Sequence, residues 1–165
     1  MADNDDIFER EIIIDADGNE EDSLPVAVVD ASYFLSAVLA DFTDGKSQEA
    51  SAFLTDLIGK NGQIVVPQLF WFEIGNVLAN AARQKKDGSP AHITKVQLAA
   101  LERNIADLPI YTDLQPNAEI RLRIRDIALS ENLSYYDAAY LELARRDNVM
   151  LKTWDADLQA AYKTV

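Results

Sequence analysis

Val26-Ala27-Val28-Val29-Asp30-Ala31-Ser32 changes character halfway along. The short β-branched run at its start reads as a buried strand. It ends on a carboxylate, and over residues 33–40 the apolar positions recur at spacings of three and four, which is a helical pattern. The same change of period repeats down the chain. Ile64-Val65-Val66 is a second clear strand candidate, and Pro109-Ile110-Tyr111 and Val149-Met150-Leu151 are weaker ones. Helical patterns fill 48–58, 68–84, 93–106, 117–129 and 135–145, with breaks at Gly59, Asn61-Gly62 and Asp87-Gly88-Ser89-Pro90. Strands alternating with helices imply an α/β fold with a parallel sheet covered on both faces. Ligands of such sheets bind beyond the carboxyl ends of the strands. Asp30 and Asp155 follow the first and last candidate strands, where that rule puts a shared site.

Four acids border the most apolar segments. Asp30 closes Val26–Val29, and Glu73 interrupts Leu69-Phe70-Trp71-Phe72-Glu73-Ile74. Asp137 lies within Leu133-Ser134-Tyr135-Tyr136-Asp137-Ala138-Ala139-Tyr140, and Asp155 follows Val149-Met150-Leu151-Lys152-Thr153-Trp154. A carboxylate beside buried surface is costly unless something positive meets it. No Lys or Arg accompanies all four at a fixed spacing, so a shared divalent cation is the economical partner. Each acid also has a purely structural reading. Asp30 can cap the helix that follows it, Glu73 can form a surface ion pair, and Asp155 or Asp157 can cap the last helix. Ser134-Tyr135-Tyr136-Asp137 matches a capping box in which Asp137 returns a bond to the Ser134 amide. Phe70, Trp71 and Phe72 can stack on bases, but at helical spacing after a strand they read as core.

The 165 residues suit one compact domain and an acidic extension. Residues 1–25 hold ten Asp or Glu and one Arg, a local charge of −9, and the body from 26 to 165 has 18 acids and 14 bases. The first segment reads as a flexible tail that shields a site, binds a partner or, as the favoured role, aids solubility, with Ile12-Ile13-Ile14 as its one apolar cluster. The body's mild acidity argues against tight holding of duplex DNA through many phosphate contacts. Its bases gather at Arg83/Lys85/Lys86, Arg121/Arg123/Arg125 and Arg145/Arg146, which read as solvated helix surface. The chain has no cysteine and one histidine, His92, which removes disulfides, thiolate chemistry, His-based triads and HExxH zinc sites. With no secretion signal at the amino terminus and no long apolar run, the expected location is cytoplasmic, without membrane contact.

Four segments, in this order, resemble the PIN domain, most closely the VapC-type ribonuclease toxins of toxin–antitoxin systems. They are Val28-Val29-Asp30-Ala31-Ser32, Val66-Pro67-Gln68-Leu69-Phe70-Trp71-Phe72-Glu73-Ile74-Gly75-Asn76, Leu133-Ser134-Tyr135-Tyr136-Asp137-Ala138-Ala139-Tyr140 and Leu151-Lys152-Thr153-Trp154-Asp155-Ala156-Asp157. The resemblance implies a three-layer α/β/α sandwich over 26–165, with the acids converging at one edge. It carries the family's acidic quartet to Asp30, Glu73, Asp137 and Asp155 as catalytic and metal-binding residues, and its polar helpers to Ser32 and Thr153. It implies an endoribonuclease dependent on Mg²⁺ or Mn²⁺, acting on structured RNA, with a cognate antitoxin and a homodimer as its assemblies. The acidic residues before the first strand depart from the family, as does Lys152 in place of a small residue before Thr153.

Two other readings stand beside it. One is a PIN-like interaction module with a silent site. The other is a receiver-like phosphoacceptor domain, which Lys152-Thr153 invites, but Asp30 lacks the acidic neighbour such a site needs and Glu73 falls on a helix. A haloacid-dehalogenase-type phosphatase needs an acid where Ser32 stands.

Overall fold

The computed structural model describes residues 12–14, 20–22, 24–39, 45–84, 91–113 and 115–163, the first two segments as backbone only. Those two are β1 (Ile12–Ile14) and β2 (Glu20–Asp22), which pair antiparallel as a sheet of their own. The rest of residues 1–23, and with it most of the acidic extension read from the sequence, lies outside the described residues, as do Lys85 and Lys86.

The body alternates as its periodicity requires. β3 (Val26–Val29), α1 (Ala31–Val38), α2 (Gly45–Gly59) and β4 (Gln63–Val66) are followed by α3 (Leu69–Ala81), α4 (Lys95–Ala106) and β5 (Ile110–Thr112). Then come α5 (Ala118–Ser130), α6 (Tyr135–Asp147), β6 (Met150–Lys152) and α7 (Ala156–Tyr162). Strand order is β5-β4-β3-β6, with every pairing parallel. In β3, Ala27, Val28 and Val29 are all fully buried, as expected of a central strand with helices on both faces. Seven helices among the described residues flank this sheet, giving the three-layer α/β/α sandwich.

The order fixes where a ligand can sit. The chain leaves β3 towards β4 and β5, then returns to place β6 on the other side of β3. The crevice beyond the carboxyl ends of β3 and β6 is therefore the topological switch point, the usual ligand position in an open α/β sheet. The Asp30 amide bonds the Lys152 carbonyl at 3.0 Å, so the two strands stay paired up to the rim of that crevice.

Two turns set the approach of strands to helices. After α2, Asn61 adopts φ 58° and Gly62 follows in a space with no room for a side chain. A Cβ there would come within 2.7 Å of the Pro25 and Leu57 carbonyls, so only glycine lets the turn enter β4 beside β3. Asn148, at φ 51°, ends α6 in the left-handed conformation and turns the chain into β6. Helix α6 is buried from Ala138 to Ala144 and packs on β3, β6, α5 and α7. Its one buried charge in that run, Glu142, is met by Arg123 at 2.9 Å and Arg146 at 3.9 Å. Among the described residues, no helix is long and apolar enough to cross a membrane.

Candidate active site

Asp30 lies at the end of β3 and is only 6 % exposed. It is the N-cap of α1: Oδ1 accepts the Tyr33 amide at 2.7 Å and the Ser32 hydroxyl at 2.7 Å. Oδ2 accepts the Thr153 hydroxyl. Three donors thus fix both oxygens of a carboxylate at the head of a helix, where the helix dipole favours negative charge. Thr153 is buried as well, and its Oγ1 accepts the Asp155 amide at 3.0 Å. One hydroxyl therefore ties the end of β3 to the turn after β6. Asp155 caps α7 by accepting the Leu158 amide at 2.8 Å, and its side chain is exposed.

Glu73 sits in the second turn of α3 and is half-buried. The surface ion pair considered for it from the sequence is replaced by a different partner: the Tyr140 hydroxyl donates to Oε2 at 2.6 Å. Burial raises the Glu73 carboxyl above the usual carboxylate range, and the charges of Asp30 and Asp137 push it further. The Tyr140 bond offsets part of that rise. Tyr140 is itself raised, by burial first and then by the negative charge of Glu73 and Asp30. Asp137, in the first turn of α6, forms a tight pair with Ser134: its amide donates to Oγ at 3.0 Å, and that hydroxyl donates to Oδ2 at 2.6 Å. The return bond expected to reach the Ser134 amide goes to its hydroxyl instead.

Asp30, Glu73 and Asp137 thus share one electrostatic neighbourhood, with Ser32 and Thr153 bonded to Asp30 and Asp155 reached through Thr153. Tyr140 escaped the sequence reading. The signal was there, since Asp137 and Tyr140 stand three apart on one helix and so share a face. Among the described residues, no three Asp, Glu or His side chains group tightly enough to ligate one ion directly. The donor set still fits a hard divalent cation, because it is all oxygen and its negative charges add to the burial that raises Glu73. An ion that keeps several of its waters, as Mg²⁺ does, needs only one or two direct carboxylates and reaches the others through water.

The surroundings revise two expectations. Of the aromatic triplet, only Phe70 is core; Trp71 is 38 % exposed and Phe72 78 % exposed. On α5, Arg121 and Arg125 are exposed as read from the sequence, while Arg123 is half-buried. Arg123 pairs with Glu119 and Glu142, Arg125 with Asp126, and Arg121 lines a cleft between α3, α5 and α6. Arg146 holds Asp113 at 2.8 Å. Lys152 lies over the Phe53 ring, 4.7 Å from its centre.

Comparison with known proteins agrees with this architecture. A sequence profile described as PIN domain matches residues 27–164. No curated protein matches the chain. Among solved structures, PAE2754 from Pyrobaculum aerophilum is similar with a TM-score of 0.56 and 20 % identity, over 84 % of this chain and 87 % of that one. The Mycobacterium tuberculosis sarcin–ricin-loop-cleaving toxin VapC20 is similar with a TM-score of 0.56 and 13 % identity, over 82 % of this chain and 94 % of that one. At these identities the two structures speak for the fold, while the profile spans nearly the whole body from β3 to α7. The chain belongs to the PIN domain family.

Proposed function

We propose that the chain is an endoribonuclease dependent on Mg²⁺ or Mn²⁺ that hydrolyses phosphodiester bonds in structured RNA, as the toxin of a type II toxin–antitoxin pair. The observation that carries this reading is the meeting of Asp30, Glu73 and Asp137 near the sheet's switch point, where burial first, and then the charges of Asp30 and Asp137, hold the Glu73 carboxyl above its ordinary range. A like-charge cluster kept beside buried surface is poised for a cation. Family membership, and the RNA-cleaving toxin among proteins of similar fold, support the substrate class.

In this reading Asp30 is the central ligand, since its backbone and both oxygens are fixed by β6, Ser32, Tyr33 and Thr153. Glu73 and Asp137 complete the set directly or through water. Tyr140 orients Glu73 through its hydroxyl, and Ser134 orients Asp137. Asp155, exposed and linked to Thr153, helps hold a second cation or orients the attacking water. The cation, when bound, neutralises charge developing on the phosphate and acidifies a water. The family also implies a cognate antitoxin and a homodimer, for which exposed Leu122 and Leu129 on α5 offer apolar surface. The expected setting is the cytoplasm.

The test is cleavage of a total RNA pool with Mg²⁺ or Mn²⁺. Discrete fragments from the wild type, abolished by EDTA and absent with Asp30→Asn, are expected. No metal-dependent cleavage on any RNA tried would favour a silent PIN-like module.

A further inference from the structure

We propose that the cleft between α3, α5 and α6 receives one unpaired nucleobase of the bound RNA; this rests on the nuclease reading above. The cleft has a volume of about 300 Å³ and lies between the start of α3, the segment after β5, and helices α5 and α6. Its aromatic lining is Phe72, Tyr135 and Tyr136. Phe72 precedes Glu73 on α3 and Tyr136 precedes Asp137 on α6, so the cleft is built on the two helices that carry those acids. Phe72 at 78 % and Tyr136 at 64 % are far more exposed than core aromatics. An unstacked base gives such rings a sequence-tolerant partner.

The polar groups of the cleft suit the same occupant. Gln68 and Gln115 each present a carboxamide, with donors and an acceptor for the edge of a base. Arg121 gives Nη1 to the Pro116 carbonyl at 2.7 Å, and its guanidinium has five N–H donors in all, so it keeps donors for a phosphate. Two acids also line the cleft, but Asp113 is held by Arg146 at 2.8 Å and Glu142 by Arg123 at 2.9 Å. Their charge is spent inside the fold, and Arg121 is left to set the sign at the rim. A second copy or a folded partner needs roughly 800 Å² of surface on each side, much more than this cleft provides.

The experiment uses the full chain carrying Asp30→Asn, so that RNA stays intact. Affinity is measured by fluorescence anisotropy for short unpaired RNAs that differ by one abasic nucleotide at each position in turn. One abasic position is expected to weaken binding about ten- to a hundred-fold. Phe72→Ala and Tyr136→Ala should weaken intact RNA as much and remove the penalty of that abasic position. Both side chains are mostly exposed, so these variants fold. Equal affinity for every abasic RNA, or losses that simply add, would overturn the base site. So would a change of sedimenting mass in Phe72→Ala, which would assign the cleft to a second copy. A wild-type chain that cuts no RNA overturns the nuclease reading and the substrate assignment with it. An active chain indifferent to the abasic series overturns the base site alone.

Discussion

Replacing Thr153 by Val removes one oxygen and keeps the shape of the side chain, so the structure sets the size of the effect. Thr153 is 3 % exposed and Asp30 6 %, and the threonine hydroxyl serves a carboxylate oxygen on one side and the Asp155 amide on the other. A hydrogen bond to a charged group contributes about 1.5–3 kcal/mol, and a buried oxygen left without its donor bears the desolvation cost in full. Water can replace the bond at the Asp155 amide, because that residue is exposed, so its loss adds about 0.5–1 kcal/mol. The expected loss is about 3 kcal/mol, or a fall in Tm of roughly 6–12 °C for a chain of this size. Thr153→Ser keeps the hydroxyl and should cost only about 1 kcal/mol for the missing methyl. The assay is urea unfolding followed by circular dichroism, run as a double-mutant cycle with Asp30→Asn. A coupling energy of about 1–2 kcal/mol is expected between the two positions. Cleavage by Thr153→Val, measured where it is fully folded, should fall about ten-fold or more as Asp30 loses its orientation. Thr153→Val as stable as Thr153→Ser, with additive effects in the cycle, would refute the claim that this hydroxyl joins the two halves of the site.

Three further outcomes follow from the acid cluster. The Glu73 carboxyl is raised in the folded chain, so its contribution to stability is complete below the unfolded pKa and is lost as pH rises through the folded value. Without divalent metal, Glu73→Gln should therefore melt above wild type at pH 7, with the difference closing below pH 4; a constant difference would show that the charge is not the cause. Tyr140→Phe strands Glu73 and should cost about 1–3 kcal/mol in urea unfolding, and it should raise the Mn²⁺ concentration at half-maximal cleavage. An unchanged metal requirement would make Tyr140 a core residue only. Asp30→Asn should remain folded, because Asn caps a helix about as well as Asp. Its Tm should stay within a few degrees of wild type while cleavage disappears, and a collapsed fold would leave its inactivity uninformative about the metal.

The order of strands and helices was legible because a parallel sheet buries its strands on both faces, so Val26–Val29 and Ile64-Val65-Val66 stand out as apolar runs between helical stretches. The strand order was not, since nothing in a run of three apolar residues says which neighbour it will pair with. The capping roles of Asp30, Asp137 and Asp155 were also visible, because capping depends on residues three apart. They do not stand against a shared site: Thr153 bonds both Asp30, which caps α1, and the amide of Asp155, which caps α7. What stayed hidden needs long-range geometry. The bond between Thr153 and Asp30 spans 123 residues, and that between Tyr140 and Glu73 spans 67. The exposure of Phe72 was misread for a related reason. Its neighbours Phe70 and Ile74 are buried, and which side of α3 meets the sheet depends on how the helix is docked.

The central claim is that this acid cluster holds a divalent cation and uses it to cut RNA. Its most direct test is calorimetric titration of Mn²⁺ into wild type and Asp30→Asn, with the same preparations assayed on RNA. The account predicts that wild type binds and cleaves and that Asp30→Asn loses both together. Cleavage that survives in folded Asp30→Asn, or ion binding by wild type with no cleavage of any RNA, would contradict it.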